Sequence, residues 1–519
     1  MPLPTHKGII AAGHPETARA GAEILKAGGN AFDAAIAAML CAFVCESATI
    51  TAGGGGFMLA HEADKGDNTL FDFFVQTPRY KRPENKLDFY PVTANFGDNT
   101  QEFHIGLAAV GTPGNIAGAF HIHQKLGRMP FATLAEPAIA LAKTGTALND
   151  FQCVLTKLLA PIILASDEGK QTFAHLDGSL KQVGEQAYIN HLADTIEHIA
   201  REGKRAFYEG EIGQRLVKDC VEKGGYITQE DLSQYQVIER HPLQTTYRKH
   251  TILTNPLPSS GGTLVAFCLQ LLSEIDLSGV MFGSTQHLKY LSQAMYLTNV
   301  ARRDYFDANK YNPGMVARFL SAGYMQRFIE NLKRSVGSTT HISVADRWGN
   351  AAALTTSSGE GNAYYIPQTG IMCNNMLGEE DLNPNGFHRW PINTRLSSMM
   401  SPTMLFNPQN QLAAVLGSSG ANRIRSAVLQ TIVNLVDFGL PIQEAVNNPR
   451  IHVEGQQLNI EYGFEDEVAQ KLSLPDKWSK VIWKQRSMYF GGVNAVACHP
   501  TGEYAASADN RRSEAVVVL

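Results

Sequence analysis

"VGSTTHISVADRWGNAAALTT" occupies residues 336–356 and has the pattern of a β-hairpin. Apolar Ile342 and Val344 alternate with Ser343 and Asp346; Asp346-Arg347-Trp348-Gly349-Asn350 supplies turn residues, and the apolar run resumes from Ala351 to Thr355. Two threonines, Thr339 and Thr340, stand at the mouth of this hairpin. β-branched residues commonly open strands, so a threonine pair taken alone indicates nothing more. A hydroxyl placed at the start of a buried strand can also be a nucleophile, and other features of the chain decide between the two readings.

Upstream of the hairpin, the stretch from about Gly262 to Arg334 reads as helical. Near the start, Pro15 to Lys26 forms a helix with Ala18, Ala22 and Leu25 on one side, stopped by Gly28-Gly29; Asn30 then caps a second helix from Ala31 to about Val44. After "GGGG" at 53–56 come two strands, "FMLAHE" and "TLFDFFV", and residues from about Asn115 to Val237 are mostly helical. Strand patterns return around Met404, at Ala413 to Leu416, and in the tail "NAVACHPTGEYAASADNRRSEAVVV". No Pro/Ser-rich linker or repeat separates the halves, so they are expected to be woven together. Helices grouped between two sets of strands suggest a layered α+β or α/β sandwich, whose topology does not follow from the pattern.

A chain of 519 residues with 44% hydrophobic and 18% charged residues has a globular composition and room for a large core. A net charge of −5 and a pI near 6.4 argue against a nucleic-acid partner or an anionic membrane surface and favour small molecules. The longest apolar run, Ala34 to Val44, is too short to span a bilayer, which needs roughly 20 residues. The amino terminus shows no secretory pattern, and a cytoplasmic location is expected. Seven scattered cysteines without CxxC pairs fit free buried thiols in a reducing compartment. His121 and His123 lie in a helical stretch without supporting ligands, so no metal site is expected there.

A threonine hydroxyl needs a base within hydrogen-bond reach before it can attack. If the chain is cut just before Thr339, the new α-amine, with a free pKa of roughly 7.7–8.0, can serve its own Oγ as that base. No partner residue is then required.

The chain resembles the γ-glutamyltranspeptidase family of N-terminal-nucleophile hydrolases over nearly its whole length. The resemblance is carried in order by "GHPETARAGAEILKAGGNAFDAAIAA", "AGGGGFML", "VGTPGNIAGAF", "NPLPSSGGT", "TTHISVADRWGNAAALT", "GIMCNNML", "TRLSSMMSPTM", "GSSGANRI" and "EAVNNPRIHVEG". It implies a four-layer αββα sandwich that cuts itself at the Ser338–Thr339 bond. A large subunit of residues 1–338 and a small one of residues 339–519 would stay intertwined and associated, with a homodimer left open. It further implies that Thr339 is the catalytic threonine, that Ser357 is the auxiliary hydroxyl, and that Ser397 and Ser398 help to hold the substrate's carboxylate. Gly420 and Ala421 would donate the oxyanion hole through their N–H groups. No cofactor or metal is implied. The substrates would be a γ-glutamyl amide, as donor, with water or an amine as acceptor.

Three positions depart from the family pattern. Where an arginine clamps the donor's α-carboxylate, "DFFVQTP" has Phe74, and an aromatic ring cannot replace a charge-assisted fork. Arg79 is the nearest downstream arginine, though a surface role suits it better. The acidic residue that binds the α-amine falls on Glu379, with Glu380 and Asp381 adjacent, and the expected asparagine falls on Gly359. A short loop after Glu379 suggests a more open pocket. Three readings stay open: a γ-glutamyltransferase or glutathione hydrolase, an N-terminal-threonine acylase for a glutaryl or other acyl amide, and an inactive homologue that never cuts itself.

Overall fold

The computed structural model describes residues 7–95, 100–325, 339–383, 385–474, 477–499, 501–513 and 515–519. The hairpin forms as its pattern predicts. Strand Thr340–Asp346 pairs antiparallel with Ala351–Ser357 in the register Thr340 to Thr356 and Ala345 to Ala351. Its turn is built by the buried Asp346 carboxylate, which accepts from the N–H groups of Trp348 and Asn350 and from Asn350 Nδ2 at 2.9–3.0 Å. The same carboxylate accepts from Ala31 N at 2.9 Å, tying the turn to the start of a helix over 300 residues away in sequence. Each such bond to a charged acceptor contributes about 1.5–3 kcal/mol.

The hairpin lies inside a seven-stranded antiparallel sheet. Its order is Ala515–Val518, Gly8–Ala12, Thr340–Asp346, Ala351–Ser357, Gly55–Glu62, Asp67–Phe73 and Ile238–Arg240. Strands from before and after residue 339 are therefore neighbours within one sheet. A six-stranded antiparallel sheet runs in the order Tyr504–Ala508, Gly492–Cys498, Leu412–Ser419, Thr403–Phe406, His250–Thr254 and Leu243–Tyr247.

The period-two alternation sends the first sheet's residues to two cores. Ile9, Ala11, Phe57, Leu59, Ala345 and Ala353 join Met404, Leu416 and Val496 of the second sheet. Helices Ser260–Ser273, Thr285–Ala301 and Asn422–Val436 contribute to the same core. Ile10, Ala12, Met58, Ile342, Val344 and Leu354 pack instead with helices Pro15–Ala27, Ala31–Cys45 and Asn115–Leu126. The architecture is thus α+β, with two facing sheets and helices against each.

The helical hairpin near the start follows its sequence signals. Gly28 takes the left-handed conformation at φ 102° and ends the first helix, and Asn30 with Asp33 forms a capping box for the second. The second helix is buried on every side, which explains an apolar run without an exposed face. Among the described residues, no helix is long and apolar enough to cross a membrane. The seven cysteines are unpaired. His121 Nε2 meets Glu239 and His123 Nε2 meets the Met129 carbonyl, both at 2.7 Å.

Candidate active site

The start of strand Thr340–Asp346 sorts the "TTH" side chains by alternation. Thr340 faces the helices, where its Oγ1 donates to Glu46 Oε2 at 2.8 Å. His341 is buried against the second sheet, with Nδ1 2.7 Å from Thr355 Oγ1 and Nε2 2.9 Å from Ser343 Oγ. Burial lowers its pKa to about 3, so the imidazole stays neutral. A side chain at Gly417 would run into the His341 ring, so that glycine makes the room the histidine occupies. The ring is a packing element of the strand pair. Thr339, 3% exposed, precedes the strand, and its carbonyl accepts from Arg512 Nη1 at 3.3 Å. Ser338, the residue on the other side of the expected cut, lies outside the described residues.

One cavity of about 500 Å3, counting its open mouth, joins Thr339 to Ser357, Glu379, Ser397, Ser398, Phe74 and Ala421. Segments far apart in sequence thus converge on one cavity. Ser357 ends the strand that partners Thr340–Asp346, and its Oγ accepts from the Gly359 N–H at 2.9 Å. The two serines of "LSSMM" rest on "NPLPSSGGT": Ser397 Oγ is 2.7 Å from Ser260 Oγ, and the Ser398 carbonyl accepts from the N–H groups of Ser260 and Gly261. Ser260 also lines the cavity, a placement that its motif alone did not announce.

Ala421, at φ 43° and ψ −113°, occupies a backbone region that favours glycine and leads into helix Asn422–Val436. Gly420 beside it has φ 110°, and a side chain there would approach Gly491 Cα to 2.9 Å. Among the hydrogen bonds of the described residues, neither the Gly420 nor the Ala421 N–H donates to a protein acceptor. Two adjacent amides at a helix start, one of them on the cavity wall, suit a developing negative charge.

Phe74 is buried at 1% exposure, stacks on Phe57 with ring centroids 5.3 Å apart, and still reaches the cavity wall. Its backbone is held by Arg395, whose Nη1 donates to the Phe74 carbonyl and whose Nε sits 3.3 Å from Asp72. This arginine, buried within "TRLSSMM", is committed to the backbone and to Asp72. Arg79 lies 3.9 Å from Glu230 and donates its N–H to Asp231, outside the cavity lining.

Glu379 and Gly359 explain each other. A Cβ on Gly359 would fall 2.0 Å from both Glu379 Oε1 and Asn375 Oδ1. The longer acid fits because the neighbouring position has no side chain. Gly359 also has φ 69°, which any other residue would occupy under strain. Gly359→Ala is expected to cost about 1–3 kcal/mol. A lowered melting temperature together with weakened binding of a ligand that touches Glu379 checks this. Glu379 Oε1 is buried without a hydrogen-bond partner among the described residues, and its pKa is raised well above the ordinary value by burial, with Glu360 and Asp381 adding repulsion. A ligand cation arriving at Oε1 relieves both effects.

The family model for gamma-glutamyltranspeptidase matches residues 17–519. A glutathione hydrolase proenzyme of Escherichia coli (strain K12) is 30% identical, the match covering 98% of this chain and 91% of that protein. The acylase ACY 1 proenzyme of Pseudomonas sp. (strain V22) is 31% identical over 96% of this chain and 91% of its own length. The crystal structure of cephalosporin acylase from Bacillus halodurans superposes with a TM-score of 0.86 at 24% identity, covering 99% of this chain and 96% of that one, a likeness of fold. On the family match, the relatives and the fold together, the chain belongs to the gamma-glutamyltranspeptidase family.

Proposed function

We propose that this protein is an N-terminal-threonine enzyme that cleaves γ-glutamyl amides, by hydrolysis or by transfer to an amine. The observation that carries the reading is the convergence of Thr339, Ser357, Glu379, Ser397, Ser398 and Ala421 on one cavity. In maturation, Thr339 Oγ attacks the Ser338 carbonyl and the peptide nitrogen leaves, giving an ester. Water opens that ester, leaving a carboxylate on Ser338 and a free amine on Thr339. In turnover the amine takes the hydroxyl proton, Oγ attacks the amide carbonyl, and the Gly420 and Ala421 N–H groups receive the oxyanion. The departing amine takes the proton, and water or a second amine releases the acyl group. The two facing sheets, each packed with helices, support the αββα arrangement that such enzymes share.

Purified protein is expected to run as chains of 338 and 181 residues (519 − 338) that remain associated. Intact mass measurement followed by a screen of γ-glutamyl, glutaryl and simple acyl anilides tests the reading. A protein that stays whole and turns over none of them refutes it.

Phe74 favours a second reading, an acylase for another acyl amide, because the wall it lines carries a ring where a donor-clamping arginine was expected. Glu379 separates the two. In the γ-glutamyl reading its carboxylate receives the donor's ammonium, so Glu379→Gln is expected to lower kcat/KM for γ-glutamyl anilide relative to glutaryl anilide by about tenfold or more. An unchanged ratio would assign the pocket to a donor without the amine.

A further inference from the structure

We propose that Lys310 and Arg302 form an anion subsite of the Thr339 cavity and hold the carboxylate of the acyl donor. This deepens the amide-hydrolase reading and rests on it. Both residues line the cavity that contains Thr339. They come from one segment: Arg302–Phe306 is a π-helical turn and Asp307–Asn309 continues it as α-helix. Such widened turns re-aim side chains and recur at functional sites.

The charges decide the argument. Arg302 is 7% exposed and Lys310 is 8% exposed, although lysine is almost never buried without a partner. Arg302 is accounted for, with Nε 3.0 Å from Asp307 Oδ2 and Nη1 3.4 Å from Asn422 Oδ1. Among the described residues, no hydrogen bond or ion pair within 4.0 Å engages Lys310 Nζ, and the Tyr311 ring centroid is 5.8 Å away. Burial and the Arg302 charge oppose its ammonium form, and Asp307 favours it. Asp307 is already engaged by Arg302.

The other acids of the cavity do not supply the missing anion. Asp381 accepts from Asn422 Nδ2 at 3.1 Å, Glu379 Oε1 is buried with no hydrogen-bond partner among the described residues, and neither acid forms an ion pair within 4.0 Å of Lys310. Asp307 is engaged by Arg302, and among the described residues Lys310 has no carboxylate within 4.0 Å, so the place beside its ammonium is open to a ligand carboxylate. The positive charge absent at Phe74 is thereby supplied from a different segment of the chain.

The test compares glutaryl-4-nitroanilide with pentanoyl-4-nitroanilide, which differ by the carboxylate, on the matured wild type, Lys310→Met and Lys310→Arg. The wild type is expected to favour the glutaryl donor in kcat/KM by about tenfold or more. Lys310→Met should lose most of that preference and Lys310→Arg should keep it. Lys310→Met should also melt higher than wild type without ligand, because it removes a buried unpaired charge, whereas a merely structural lysine would melt lower. An unchanged glutaryl-to-pentanoyl ratio in folded Lys310→Met overturns the proposal.

Calorimetric titration with glutarate gives an answer that does not depend on turnover. Binding about tenfold weaker in Lys310→Met, or in Lys310→Gln if the methionine variant does not fold, supports the subsite. Equal binding overturns it. A protein that never cuts itself or cleaves an anilide would defeat the hydrolase reading while the glutarate titration still decides the role of Lys310.

Discussion

Thr339→Ala is expected to leave a single chain of 519 residues and to remove turnover, with kcat falling by about 10⁴-fold or more, as for loss of a nucleophile in other covalent hydrolases. In the proposed mechanism the residue supplies two chemical groups at once: its Oγ attacks, and the amine that activates Oγ exists only after Oγ has cut the chain. Alanine therefore removes the nucleophile and the step that creates its base. Thr339→Ser keeps both groups but lacks the methyl that restricts the side-chain rotamer. It should cut slowly and then turn over at a reduced rate. Intact mass, followed over days, with anilide assays at each point, checks both variants. A Thr339→Ala chain that still splits at this bond would place the nucleophile elsewhere.

The second large effect concerns a buried ionic cluster that supports the 420–421 turn. Asp509 accepts from Arg450 Nη2 at 2.6 Å, from Arg511 Nη1 at 2.9 Å and from the Val493 N–H at 2.8 Å. Glu461 takes the other side of Arg511, with Nε at 2.6 Å. Arg450 Nη1 in turn donates to the carbonyls of Phe490 and Gly491, and Gly491 is the surface on which Gly420 packs. Removing one partner strands buried charges, so Asp509→Ala is expected to cost about 3–5 kcal/mol and to loosen the 420–421 turn. Urea melts and kcat measured on the same sample would show stability and turnover falling together.

The cluster also sets an acid limit. Burial alone would raise the Asp509 pKa, but the Arg450 and Arg511 guanidinium groups outweigh it and hold the carboxyl at about 2. Its contribution, on the order of 2 kcal/mol, is present above the ordinary carboxyl range near 4 and is lost as pH falls towards 2. The wild type should accordingly lose stability more steeply than Asp509→Ala between about pH 4 and pH 2.

What the sequence revealed was local. The hairpin around Asp346, the caps at Gly28 and Asn30, and the threonine at a strand's mouth are written in neighbouring residues, where periodicity and turn chemistry act. The pairing of Gly8–Ala12 with Thr340–Asp346 is not, because register between distant strands is settled by cores that form only on folding. The same holds for Lys310, whose isolation is a property of the packed cavity, and for Arg395, whose guanidinium could have faced the substrate but holds the Phe74 carbonyl. Gly359 and Glu379 read separately as two unrelated departures from a family pattern. In space they are one exchange of volume between neighbours.

The sheet order has a consequence for folding. Gly8–Ala12 lies between Ala515–Val518 and Thr340–Asp346, so an earlier stretch of chain is clasped by two later ones. Opening the bond before Thr339 would not free either piece, since parting them means breaking backbone ladders on both flanks of a central strand. It would, however, erase the memory of connection. Before the cut, every strand finds its neighbours as part of one molecule, at a cost set by loop length. Afterwards the same assembly is a meeting of two molecules, governed by concentration and by exposed strand edges that can pair with strangers. Such a protein would be assembled once, while whole, and thereafter held together by the slowness of its own unfolding.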